Sequence, residues 1–163
     1  MTTMPPPRAH TAAEINEAIA PLRAEGKTVV MTNGVFDLPH PGHVRSLQAA
    51  ADLGDILVVA INSDASVRRL KGEKRPIISD IERAKILSSL EMVDFVVIFD
   101  EDTPLEIVKA IQPDVIAKGN DYRGREVVGS DVVENRGGRV EYLPMEEGIS
   151  TSTIINRIVK AHQ

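Results

Sequence analysis

Two histidines stand three residues apart in His40-Pro41-Gly42-His43. An imidazole donates a hydrogen bond to a phosphate oxygen, more strongly when protonated. Pro41 suits the first turn of a helix, and Gly42 admits close approach of backbone to a ligand. A helix starting here would aim free N–H groups and the positive end of its dipole at one place. Imidazoles at i and i+3 would lie on one side of it. The pattern points to an anion, and phosphate is the expected one. A zinc pair is the competing chemistry, but it needs a third ligand. The remaining histidines, His10 and His162, lie near the termini. Late in the chain, Ser150-Thr151-Ser152-Thr153 puts four hydroxyls before an apolar helical pattern. A single one would cap the helix, so four suggest a second anion cradle.

Three further clusters carry polar chemistry. Ser66–Arg75 reads SVRRLKGEKR, with five Arg or Lys among ten residues. A solvated charge run is the ordinary explanation. A basic loop closing over a polyphosphate, where charge develops in a transition state, is the functional one. Arg83 either joins that loop or pairs with Glu82 or Asp80. Lys118-Gly119-Asn120-Asp121-Tyr122 combines a turn glycine with hydroxyl-binding side chains, although a plain Asn-Asp turn explains it nearly as well. Asp37 is expected to orient its loop or a histidine, or to cap the next helix. No G-x-x-x-x-G-K-[ST], G-x-G-x-x-G or G-x-S-x-G motif occurs. Donors and cations without an obvious nucleophile suit a reaction in which protein positions two phosphates and stabilises charge.

These clusters need elements to hold them. The chain has 163 residues, 42% of them hydrophobic, which fits a single domain. It has no cysteine. That excludes disulfides, thiolate metal sites and cysteine nucleophiles, and suits a reducing compartment. No apolar run approaches the ~18 residues of a membrane span, and no signal-peptide core follows the start. A cytoplasmic location without membrane contact is expected. With 19 basic against 24 acidic residues, a net charge of −5 and 3% aromatics, nucleic acid is a poor partner. Residues 1–10, with Pro5-Pro6-Pro7, are expected as a disordered tail before a domain over 11–163. Thr11 and Glu14 have capping-box spacing, Ile15, Ala18, Ile19 and Leu22 make a helical stripe, and Gly26 suits its stop. Pro21 should kink or shorten that helix.

Beyond it the pattern alternates. Strands are expected over Thr28–Thr32, Ile56–Ile61, Phe95–Phe99, Asp114–Ala117 and Val140–Leu143. Helices are expected over Gly42–Leu53, Ala65–Leu70, Ser79–Leu90, Pro104–Ile111, Ser130–Asn135 and Thr151–Ala161. Strand–helix alternation with doubly apolar strands implies an α/β fold, a five-stranded parallel sheet with helices on both faces. A polar cluster follows each strand, and open α/β sheets bind ligands beyond the carboxyl ends of their strands. One shared site is therefore expected there.

GVFDLPHPGH over Gly34–His43 and GISTST over Gly148–Thr153 resemble the nucleotidyltransferase superfamily with HxGH and ISTST signatures. MTNGVFD, INSDASVRRLKGEKRP, VDFVVIFDEDTP, AKGNDY and EEGISTSTII are together similar to the D-glycero-β-D-manno-heptose 1-phosphate adenylyltransferase family. The resemblance covers about Lys27 to Lys160. It implies a Rossmann-like single domain that converts ATP and the heptose 1-phosphate to ADP-heptose and pyrophosphate with Mg²⁺, without a covalent intermediate. In many bacteria this activity is half of a kinase–adenylyltransferase; a chain this short is expected as the stand-alone form. The product would feed lipopolysaccharide-core or related surface-glycan synthesis in a Gram-negative bacterium.

By the same resemblance, His40, His43 and Lys71 would be catalytic. Asn33, Gly34, Val35, Phe36, Gly42, Arg75, Lys118 and Gly119 would bind the nucleotide. Ser150, Thr151 and Ser152 would hold its β and γ phosphates. Asp37, Asn62, Asn120 and Asp121 would contact the acceptor. No carboxylate is assigned to the metal. Related cytidylyltransferases carry GTFD and RTEGIST, where this chain has Val35 and Met145-Glu146. Losing that Arg argues against cytidylyl transfer to glycerol 3-phosphate or a similar alcohol phosphate, the alternative enzyme. A non-catalytic nucleotide sensor is the alternative from another class. Ser79–Val93 and an exposed sheet edge are compatible with the homodimer or higher homo-oligomer that the resemblance suggests.

Overall fold

The computed structural model describes residues 8–163. Its sheet has five parallel strands: β1 (Val29–Gly34), β2 (Ile56–Asn62), β3 (Phe95–Phe99), β4 (Val115–Gly119) and β5 (Arg139–Leu143). Their spatial order is β3-β2-β1-β4-β5. The chain builds outward from β1 to β3, returns, and continues on the other side as β4 and β5. The order therefore reverses between β1 and β4, and the crevice beyond their carboxyl ends is the natural ligand position.

The doubly apolar strands explain why both faces are covered. Val29 and Met31 of β1, with Ile56, Val58 and Ala60 of β2, enter one core. Their neighbours Val30, Leu57, Val59 and Ile61 enter the other. The first core is closed by α1 (Ala12–Ala24), α5 (Leu105–Ile111) and α6 (Ser130–Glu134) through Ile15, Ile19, Ile107, Ile111 and Val133. The second is closed by α2 (Pro41–Ala51) and α4 (Asp80–Ser88) through Leu47, Ala50, Ala84 and Leu87. The remaining helices, α3 (Asp64–Lys71) and α7 (Thr151–Ala161), start at the carboxyl end of the sheet. At its opposite end three aspartates repeat one device. Asp55, Asp94 and Asp114 precede β2, β3 and β4 and accept backbone N–H bonds from Thr28, Leu57 and Val29, each at 2.8 Å. These acids fix strand register and stand away from the crevice.

The alternation expected from sequence is present, with differences at the ends. β1 runs on through Asn33 and Gly34, and β4 through Lys118 and Gly119, so these four are strand residues rather than loop residues. α1 has the expected capping box at Thr11 and continues past Pro21 to Ala24. Only the N–H missing from Pro21 is lost, and Arg23 ties the last turn to the carbonyls of Ile111 and Gln112. Of the expected tail, residues 1–7 lie outside the described residues. Arg8–His10 departs from that expectation by lying against β3: the His10 N–H donates to Val96 O at 2.7 Å, and its ring packs edge-on to Phe95.

Candidate active site

The loop from β1 to α2 has a strained backbone. Phe36 and Leu38 hold φ of 52° and 48°, in the left-handed region that costs a non-glycine residue of order 1 kcal/mol. Bonds to the loop carbonyls keep it there. Arg83 donates to Val35 O at 2.6 Å, and the Thr151 hydroxyl donates to Asp37 O at 2.7 Å.

Asp37 is the centre of this arrangement. Its side chain is wholly buried and accepts from Arg75 Nε (2.7 Å), Ile77 N (2.8 Å) and Ile78 N (3.0 Å). These bonds hold its carboxyl below the usual carboxylate range against the opposing effect of burial. Asp37, expected at the acceptor, is here bound to three protein donors and orients its own loop, the other role its position suggested. Through it, the β1–α2 loop, the connection before α4 and the start of α7 form one unit. Arg83 extends that unit. It is fully buried, donates to Ile78 O and Asp64 Oδ1 at 3.0 Å, and pairs with Asp64 rather than Glu82 or Asp80. Asp64 and Asp80 in turn cap each other's helices.

On this base sit the two histidines. His40 is the N-cap of α2, and its Nδ1 accepts the Gly42 N–H at 3.1 Å. His43 Nδ1 accepts the His40 N–H at 3.4 Å. With both Nδ1 atoms accepting, each neutral ring carries its proton on Nε2, a donor not engaged by the cap. The rings stack with centroids 3.7 Å apart, and Phe36 closes on His43 at 5.1 Å. Burial, reinforced by His40, lowers the His43 pKa to about 4, while Asp37 acts in the raising direction. His40 is lowered too, chiefly by burial. At neutral pH both are therefore neutral N–H donors in the unliganded protein.

The source of positive character differs from the expectation. Pro41 has no N–H and the Gly42 N–H is taken by His40, so imidazole edges replace much of the supply of helix N–H groups at α2. Gly42 is also required locally. A Cβ there would stand 2.9 Å from the His40 ring and 3.2 Å from Ile149. At α7, Ser150 Oγ accepts Thr153 N at 3.1 Å and Thr153 Oγ1 accepts Ser150 N at 2.9 Å. With Thr151 bound to Asp37 O, the four-hydroxyl cradle reduces to the exposed Ser152 and the first-turn N–H groups.

Other expected site residues separate into two groups. Asn33, Gly34, Val35, Phe36, Lys118 and Gly119 lie half-buried where β1 and β4 end. Asn120 and Asp121 are exposed on the short helical turn that follows, and a Cβ on Gly119 would meet Asp121 at 2.5 Å and Met145 at 2.9 Å. Asn62, expected at the acceptor, is buried at the end of β2 and donates to Ser66 Oγ at 3.1 Å. Of the basic segment, Arg75 docks on Asp37, Arg69 pairs with Asp102, and Lys71 stands exposed at the end of α3. Sequence reasoning missed Arg83 as the buried strut; an arginine amid Ile81, Ala84 and Leu87 was the available signal. Among the described residues, no group of three or more His, Asp or Glu gathers as a metal cage.

A doubly wound sheet with paired histidines beside the crevice at its order reversal defines a class, and comparison with known proteins identifies it. Residues 31–157 match the family model described as cytidylyltransferase-like, and the chain belongs to that family. It is 57% identical over 145 residues to the bifunctional protein HldE of Citrifermentans bemidjiense, covering 89% of this chain and 30% of that protein. It is 56% identical over 140 residues to HldE of Geobacter metallireducens, covering 86% and 29%. The chain thus spans about 30% of the length of the curated relatives it matches. Among solved structures, it resembles the lipopolysaccharide core biosynthesis protein from Thermoplasma volcanium GSS1. That match has a TM-score of 0.61 and 31% identity, over 74% of this chain and 98% of the other. Pantoate-beta-alanine ligase from Francisella tularensis shares the fold alone, at TM-score 0.60 and 12% identity, over 95% and 78%.

Proposed function

We propose that the chain is an adenylyltransferase that joins ATP to D-glycero-β-D-manno-heptose 1-phosphate, giving ADP-heptose and pyrophosphate. The observation that carries this reading is the stacked pair His40 and His43, each capping backbone through Nδ1 and leaving Nε2–H as an anion donor. Similarity to the HldE proteins over most of this chain supports the acceptor assignment.

An oxygen of the sugar phosphate attacks the α-phosphorus in line. The new P–O bond forms as the α–β bridging P–O bond breaks, and pyrophosphate leaves with that electron pair. No enzyme nucleophile and no net proton transfer are required. His40 and His43 donate to the phosphate oxygens, and the start of α7 receives the distal phosphates. Such preorganised donors act where charge shifts, in a crevice drier than bulk water. The Asp37 carboxylate is wholly buried and already accepts from three protein donors, so Mg²⁺ fits as a companion of the nucleotide phosphates rather than in a protein cage. Bound there, it supplies neutralisation of the triphosphate charge. No helix among the described residues is long and apolar enough to cross a membrane. A substrate as polar and ATP-dependent as this fits the cytoplasm, and the homodimer belongs to the same proposal.

The test is pyrophosphate release with Mg²⁺, crossing ATP and CTP against heptose 1-phosphate and glycerol 3-phosphate. Release from ATP with the heptose phosphate is expected. Release only from CTP with glycerol phosphate would replace the substrate assignment with cytidylyl transfer. ATP binding without release from any pair would make the protein a nucleotide sensor.

A further inference from the structure

Beyond β4 and β5, three cations surround two tyrosine rings. Lys118 Nζ lies 4.3 Å from the centroid of Tyr122, and the Arg125 guanidinium carbon lies 6.0 Å from the same ring. The Arg123 guanidinium carbon stands 4.7 Å from Tyr142, and its Nε donates to Asn120 Oδ1 at 2.9 Å. Lys118 and Tyr142 are register partners on adjacent strands, so the group is built on the sheet itself.

Among the described residues these three are the cations that lie over aromatic rings. Arg8, Arg69, Lys109 and Arg139 are exposed cations, and each has a carboxylate partner within 4 Å. None of Lys118, Arg123 and Arg125 forms such a pair among the described residues. Asp121 is the acid whose charge acts on Lys118, and it does not offset the burial that pushes this ammonium down. Three cations without an ion-pair partner, in a protein of net charge −5, form a local site of the opposite sign.

Its position gives the site a use. Tyr142 packs with the core closed by α1, α5 and α6, whereas α2, which carries the histidines, packs with the other core. The cations and the histidines therefore stand at the same end of the sheet, toward opposite faces, across the crevice where β1 meets β4. Transfer between two phosphates must bring two anions together, and a donor set on each side offsets their repulsion.

We propose that Lys118, Arg123 and Arg125, arrayed on Tyr122 and Tyr142, hold the phosphate monoester of the acceptor, while the histidine side holds the nucleotide. This deepens the reaction proposed above and rests on it. It also moves Lys118 from the nucleotide, where the family resemblance put it, to the acceptor. Tyr122, partly exposed, presents an aromatic face beside that phosphate for a sugar ring.

Arg125→Ala is the informative variant, because no side-chain hydrogen bond of Arg125 supports the fold. A lost charge-assisted contact corresponds to about a tenfold effect or more. The KM for heptose 1-phosphate is expected to rise about tenfold, with the KM for ATP changed less than about twofold. Equal rises for both substrates, or no rise for either, would overturn the proposal. A second measurement is independent of turnover: inorganic phosphate titrated into the ¹⁵N-labelled protein and followed by amide shifts. Shifts at Gly119–Gly124, weakened about tenfold in Arg125→Ala, are expected. Shifts confined to His43 and Ser152, or none, would count against the subsite. If wild type releases no pyrophosphate from any pair yet shows these shifts, the assigned reaction fails and the phosphate subsite stands.

Discussion

Two helices begin beside the same crevice, and they solve the same capping problem with different atoms. α2 starts at His40 and α7 at Ser150, both with extended backbone and both with a reciprocal capping box. At α7 the cap consumes hydroxyls: Ser150 and Thr153 satisfy each other, and ligand contact is left to Ser152 and the backbone. At α2 the cap consumes one nitrogen of each imidazole and leaves the second. A two-ended side chain thus fixes the helix start and faces the ligand at once. His40 and His43 are held by the bonds that orient them, and burial keeps them neutral.

The sharpest way to break this comparison is to separate the two ends of the ring. Asn is a good N-cap but has no counterpart to Nε2. In His40→Asn the melting temperature should hold while pyrophosphate release falls about 10²–10³-fold, the usual cost of losing a preorganised donor. His43→Ala should lose at least as much. Full turnover in either variant would show that the imidazole edges do no chemistry.

Next in size is the hub beneath both helix starts. Asp37→Asn removes the buried charge facing half-buried Arg75 and should lower stability by about 3 kcal/mol, measured by urea unfolding. An unchanged unfolding midpoint would mean that the two regions are held independently.

An effect of similar size comes from pH. The folded pKa of His43 is about 4, below the ordinary 6.5 for the free side chain. As pH falls, the unfolded chain takes up its proton first. Stability is therefore full above about pH 6.5, declines toward pH 4, and is flat in this component below that. The loss should be about 3 kcal/mol in wild type and largely absent in His43→Gln. Equal pH slopes in the two proteins would contradict the burial of the ring.

The α7 start provides the smallest test. Ser150→Ala should cost about 1 kcal/mol of stability. Ser152→Ala should leave stability unchanged and raise the KM for ATP a few-fold. The reverse assignment would exchange the roles of cap and ligand donor.

The layered architecture was legible because doubly apolar strands alternate with one-sided helices, and few arrangements bury both patterns. Three helix starts were legible for a related reason: Thr-x-x-Glu, His-Pro-Gly-His and Ser-Thr-Ser-Thr are local signals. Long-range partnerships were not. Nothing near Asp37 in sequence announces that it will bind Arg75 and the N–H groups of Ile77 and Ile78. Arg83 reads as part of the basic loop or a partner of Glu82 or Asp80, because periodicity does not report a buried arginine satisfied by distant carbonyls. Asn62 looked like a ligand contact because a polar residue at a strand end is ambiguous until its neighbour Ser66 is placed. Capping was underestimated: sequence counts hydroxyls, but geometry decides how many are left over.

The anchoring of Arg75 bounds what the basic segment can do. α3 ends at Lys71, and Arg75 is fixed to Asp37, so only Gly72-Glu73-Lys74 hang between two attachments. Three residues span about 10 Å at full stretch. Lys71 is thus on a short leash whose fixed end is the same aspartate that shapes the histidine loop. A protease that nicks after Lys71 or Lys74 would release the leash yet leave both halves gripped by the sheet. The nicked chain would stay assembled and still carry its histidines, but the lysine side of the crevice would no longer be tied to them.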